Sequence, residues 1–213
     1  HSDTAQEKML QVSTIESLGA PVGNVLKRAG VTVAALEATT AGLISSCLQS
    51  VPGASKYWQG ATLIYSQQAA TELVPKNLLR LLGKPSHNYS SGPNYMRSKE
   101  IFTTVLGEYF RRKMSVDWFL SESGATDVST LPKSLKDNGA FTVVTILGPN
   151  GISVTKTIKG KHGASRVENM WTFTRAALNL LKETVERAQS ETKQPQPKPQ
   201  TKPQTKPLQL QAE

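Results

Sequence analysis

Apolar positions along this chain follow two periods. Short β-branched runs recur at Val31–Leu36, Ala61–Tyr65, Val116–Leu120, Phe141–Leu147 and Ile152–Ile158. Their length and near-continuous apolar character predict strands covered on both faces. Between them the spacing changes to three and four residues. Met9, Val12, Ile15 and Leu18 predict a helix that Gly19-Ala20-Pro21 ends, and Val22–Ala29 predicts a second, short helix with Val25 and Leu26 inward. Leu43–Gln49 reads as a small-residue helix and Gln67–Leu82 as a helical stretch broken near Pro75. Tyr95–Lys113 reads as a long amphipathic helix with Ile101, Val105, Tyr109 and Phe110 on its inner face. Arg166–Ala188 closes the pattern, with Met170, Phe173, Ala177, Leu180 and Leu181 inward. Gly148-Pro149-Asn150-Gly151 predicts a hairpin between the last two strands.

Helices and strands alternating in this way predict an α/β fold, a three-layer α/β/α sandwich around a mixed sheet. Ligands of such sheets gather at the carboxyl ends of the strands. That rule puts the turn Glu37–Gly42 and the turn read at Ser121–Asp127 into one cleft. The start of the helix at Leu43 offers free N–H groups and a favourable dipole to an anion, which makes Thr39, Thr40 and Gly42 candidate ligand groups. The plainer alternative is that Thr39 or Thr40 caps the helix. Three parts are expected: a helical extension over 1–21, the α/β domain over 22–188, and a tail over 189–213. Gln194–Pro207 reads QPQPKPQTKPQTKP, which suits an extended, polyproline-like segment and no core.

Charge adds the matter of partners. The 213 residues carry a net charge of +9, of which +2 lies in residues 191–213 and +7 in the rest. A basic chain suits nucleic acid or acidic protein surfaces. The single cysteine, Cys47, rules out an internal disulfide, and its small-residue surroundings suit a buried thiol. No apolar run reaches the roughly 20 residues that span a bilayer. No His/Cys/Asp/Glu cluster has the spacing of a metal site, and no cofactor is expected.

The motifs Glu37-Ala38-Thr39-Thr40-Ala41-Gly42, Val51-Pro52-Gly53-Ala54-Ser55, Tyr57-x-x-Gly60 and Tyr65-Ser66 resemble the C-terminal domain of the competence-damage-inducible protein CinA. The resemblance runs from about Val22 to Glu186. It implies the layered α/β fold and the activity of a nicotinamide-mononucleotide deamidase. It also implies that Ser55 is the nucleophile and that Tyr65 assists it, together with a lysine from a Tyr-Ser-Asn-Glu-Ala-Lys pattern. Here that pattern reads Tyr65-Ser66-Gln67-Gln68-Ala69-Ala70, so Ala70 stands where the lysine belongs. A serine hydroxyl is a poor nucleophile without a neighbouring base. The family's glycine-rich loop matches Ser123-Gly124-Ala125-Thr126-Asp127-Val128, which keeps Gly124 and places Asp127 at the second glycine. Its Gly-Asp-Arg matches Gly160-Lys161-His162, with Arg166 fitting a second arginine. Lys76 lies six residues further on and would need a rearrangement to substitute; His87 and His162 are conceivable replacement bases that read more simply as loop histidines.

The sequence therefore leads to a non-catalytic CinA-like domain, a structural or interaction subunit of a larger assembly. Its expected contacts are other protein subunits, through the N-terminal helix and the 191–213 tail, with RNA as a further partner. The chain begins at His1 and is basic, which suits a cleaved presequence and a mitochondrial ribosome or respiratory-chain complex on the matrix side; the cytoplasm is the alternative. An active amidohydrolase on nicotinamide mononucleotide with Ser55 as nucleophile is the competing reading, and a pyridine-nucleotide sensor is a third.

Overall fold

A computed structural model describes residues 2–83, 90–127, 129, 133–136 and 139–193. Five strands form one sheet: β1 (Val33–Glu37), β2 (Trp58–Leu63), β3 (Trp118–Ala125), β4 (Phe141–Leu147) and β5 (Ser153–Lys159). Their spatial order is β2-β1-β3-β4-β5. β1 is parallel to both β2 and β3, whereas β4 is antiparallel to β3 and β5. The helices are α1 (Ser2–Ala29), α2 (Leu43–Gln49), α3 (Gln67–Leu73), α4 (Lys76–Leu81), α5 (Gly92–Lys113), the short α6 (Lys133–Lys136) and α7 (Arg166–Lys193).

Strand alternation sorts the core into two layers. Val33, Ala35, Leu120, Val144 and Ile146 face α1, α2 and α7. Ala34, Leu36, Phe119 and Leu147 face α3, α4 and α5. The result is the expected α/β/α sandwich with a mixed sheet. Phe173, Ala177, Leu180 and Leu181 of α7 are buried as the spacing predicts. A capping box starts that helix: Ser165 N donates to Glu168 Oε2 at 2.8 Å, and Glu168 N to Ser165 Oγ at 3.3 Å.

Three sequence readings are corrected. Gly19-Ala20-Pro21 does not end a helix; α1 runs through it, with Pro21 inside and no break at the expected 21/22 boundary. The glycines serve close packing. A Cβ on Gly19 would sit 1.8 Å from the Cys47 carbonyl oxygen, and one on Gly23 would sit 2.6 Å from the Tyr57 hydroxyl. One helical turn apart, they let α1 lie directly against α2 and the corner that follows it. Second, the stretch Ser121–Ala125 is not a turn but the continuation of β3, paired with β4 from Phe119↔Leu147 to Ala125↔Phe141. Third, the buried face of α5 runs through Tyr95, Ser98, Thr103, Leu106 and Phe110, rotated from the one read at Ile101, Val105 and Tyr109. Polar and small residues occupy much of the inner face, so apolar spacing points beside it. Thr103 is accommodated by a hydroxyl–hydroxyl bond to Thr145 of 2.9 Å.

Candidate functional site

β1 lies between β2 and β3, and the chain moves from β1 to β2 on one side and then to β3 on the other. That change of direction opens a crevice at the carboxyl ends of the three parallel strands. Two carboxylates, both fully buried, hold the turn beside it. Glu37 ends β1 and turns back to the start of α2. Its Oε2 accepts from Thr40 Oγ1 at 2.7 Å, Gly42 N at 2.9 Å and Ile44 N at 3.2 Å. Its Oε1 accepts from Ser45 N at 2.9 Å and from the Ser45 hydroxyl. Glu122, on β3, accepts from Ala38 N at 2.7 Å, Thr40 N at 2.9 Å, Thr142 Oγ1 at 2.9 Å and the Thr39 hydroxyl, and the Thr40 hydroxyl lies within 2.6 Å of it, so its one hydrogen serves either glutamate in turn. The anion at the start of α2 is thus the protein's own Glu37. Thr40 and Gly42 are engaged in holding the turn, and Thr39 alone of the three reaches the cleft wall. Burial, and then the Glu37 charge, push the adjacent Cys47 thiol up to about 11, which leaves it an inert core group.

Beside this turn lies a cleft of about 280 Å³ between the strand ends and α3, α4 and α5. Its polar side carries Thr39, Ser66, Ser98, Ser123 and Lys99; its apolar side carries Ala38, Ile64, Ala70, Leu79 and Phe102. Lys99 is half-buried on α5, with Nζ 5.0 Å from the centre of the Tyr95 ring. Loss of hydration pulls its ammonium down to about 8, against a weaker opposing pull from Glu122. At the mouth, Arg166 donates to the Tyr65 hydroxyl at 3.2 Å and its guanidinium lies 5.9 Å from that ring's centre. Gly124 reaches the cleft because nothing larger fits: a Cβ there would lie 2.0 Å from the Phe141 carbonyl oxygen.

Known proteins share this fold. The family model "CinA C-terminal domain" matches residues 15–185. The chain belongs to the CinA family. A CinA-like protein of Gloeobacter violaceus is 25% identical over 175 residues, 80% of this chain and 37% of that protein. One of Trichodesmium erythraeum is 30% identical over 109 residues, 51% of this chain and 23% of its own length. The chain thus spans well under half of these relatives. Among solved structures, the CinA superfamily protein of Klebsiella pneumoniae superposes with a TM-score of 0.63 at 14% identity, covering 81% of this chain and 98% of that one. A competence or damage-inducible protein of Enterobacter asburiae gives 0.61 at 16% identity, covering 80% and 98%. These two show a shared fold.

Within this CinA domain the residues singled out from sequence are divided. Tyr65, Thr39 and Gly124 line the cleft, and Arg166 touches Tyr65 at its rim. Ser55 does not join them. It sits in the single 3-10 turn Ala54–Lys56, before β2, whereas Tyr65 follows β2. A six-residue strand, about 20 Å long, separates the two. Ser55 is exposed there, and among the described residues no side chain hydrogen-bonds to it. Ala70 fills its position with a buried methyl that packs against Leu36, Ile64 and Val74. Lys76 and His162 are exposed and line no part of the cleft; His87 lies outside the described residues.

Four groups of the site escaped sequence reasoning: Glu37 and Glu122 as turn holders, and Lys99 and Ser123 as cleft groups. A signal for Lys99 existed, since it lies one helical turn beyond Tyr95 and three residues before Phe102. For Glu122 the signal was a charge two residues beyond the apolar run Val116–Leu120, which reads as a loop until β4 is known to pair with it.

Proposed function

We propose that this CinA domain does not hydrolyse an amide and serves as a binding or interaction module. The observation that carries this is the composition of the cleft. Its base position is the Ala70 methyl, and the serine matched to the nucleophile stands at the other end of β2 from Tyr65. Without a base held against it, a serine hydroxyl loses a factor of roughly 10²–10⁴ in rate. The packing that builds the fold is kept throughout, from the Gly19–Cys47 contact to the capping box of α7. The basic charge and the proline-rich segment Gln194–Pro207 support a role in contact with other macromolecules.

Ammonia release from nicotinamide mononucleotide tests the reading. The full chain is expected to release none above the protein-free blank, and Ser55→Ala is expected to change nothing. Turnover lost in Ser55→Ala would restore the serine amidase. Turnover that survives Ser55→Ala and is lost in Lys99→Met would assign hydrolysis to the cleft and equally contradict the proposal.

A further inference from the structure

We propose that the cleft binds a small organic acid whose carboxylate pairs with Lys99 and whose compact apolar body lies against Ile64 and Phe102. Lys99 has no hydrogen bond or ion pair to a carboxylate among the described residues, and its Nζ lies 5.0 Å from the centre of the Tyr95 ring. A cation partly withdrawn from water with no carboxylate paired to it is costly to the fold. Glu122 offsets this only in part: its charge favours the ammonium, but its oxygens are engaged by the turn after β1 and by Thr142, and it forms no ion pair with Lys99. Glu122 also belongs to the same alternating set as Leu120, which faces α2, whereas Ser123 lies on the α5 side of β3. Ser123 is 3% exposed, and its hydroxyl has no partner among the described residues. Ser66 Oγ accepts from Ala69 N at 3.1 Å and keeps its own hydrogen to donate. One cation and two spare hydroxyl donors around an open space form a site for an oxyanion.

The apolar wall and the size narrow the class. A volume of about 280 Å³ lies at the small end of ligand cavities, which run from about 300 to 1,000 Å³. That space suits a single ring or short chain. Arg166 at the rim adds positive potential along the entrance. The groups facing Lys99 are few. Glu122 comes from β3, Tyr95 from its own helix and Tyr65 from the end of β2. The turn after β1, α3 and α4 present no charged side chain to the cleft among the described residues. Burial of Lys99 already favours its neutral form, so a bound carboxylate gains most below the pH at which the free amine loses its proton, about 8.

Calorimetry of the full chain with benzoate and benzamide tests this, because the two differ only in a carboxylate for an amide. At pH 6.5 benzoate is expected to bind at least tenfold more tightly than benzamide. At pH 9.5, where Lys99 is mostly neutral, benzoate is expected to bind at least fivefold more weakly than at pH 6.5. Lys99→Met is expected to abolish the preference and, by removing an unpaired cation, to melt above the wild type. Equal affinities at pH 6.5, binding of neither compound, or a preference that survives in Lys99→Met would each overturn the proposal. The outcome is independent of the amidase reading, since no ammonia is measured and benzoate has no amide.

Discussion

The residues that matter most here are polar groups in apolar places. Glu37 and Glu122 gather nine donors between them from the turn after β1 and its neighbours, the Thr40 hydroxyl being shared, and both are fully buried. Such a carboxylate fixes a turn more firmly than a threonine cap, because hydrogen bonds to a charged group are about twice as strong as neutral ones. Glu122→Ala would strand the Ala38 and Thr40 N–H groups, while the Thr40 hydroxyl keeps Glu37 and the Thr39 and Thr142 hydroxyls keep each other. It is expected to destabilise the fold by about 1–3 kcal/mol for each stranded donor, read as a loss in the urea midpoint, and a total change below about 1 kcal/mol would show that the network is incidental. Neither glutamate's role was legible. A charge beside an apolar run reads as the start of a loop, and the donors that explain it lie up to 84 residues away in sequence. Ala70 was legible, because a missing base is visible in the chain itself; where Ser55 stands relative to Tyr65 was not, because that depends on which end of β2 each one occupies.

At the scale of elements, α2 was read with its observed ends and all five strands were found, although β3 runs five residues beyond its read end. These segments carry their own signals, since a strand covered on both faces is apolar along its length. α1 was misread because Gly19 and Pro21 have two meanings. In isolation they break helices; here Gly19 admits the Cys47 carbonyl of α2. The competing effects differ in sign. Gly→Ala in an exposed helix gains about 1 kcal/mol, whereas forcing a methyl into packed backbone costs about 1–3 kcal/mol. Gly19→Ala is therefore expected to lower the melting temperature, and a rise would show that α1 does not pack against α2 this closely. The inner face of α5 was misread for a related reason: Ser98, Thr103 and Gly107 occupy it, and their partners on the sheet are not local in sequence.

For the whole molecule, the chain keeps the CinA fold, and its carboxyl-end cleft carries Lys99 with the hydroxyls of Ser66 and Ser123. The fold subsists on layers that tolerate change at strand ends, so chemistry at those ends can be lost without loss of the scaffold. The measurement that tests this most directly is ammonia release from nicotinamide mononucleotide by the wild type and Ala70→Lys side by side. Both are expected to stay at the blank, because restoring a lysine at position 70 still leaves Ser55 at the other end of β2. Turnover by the wild type, or turnover by Ala70→Lys that Ser55→Ala removes, would contradict it.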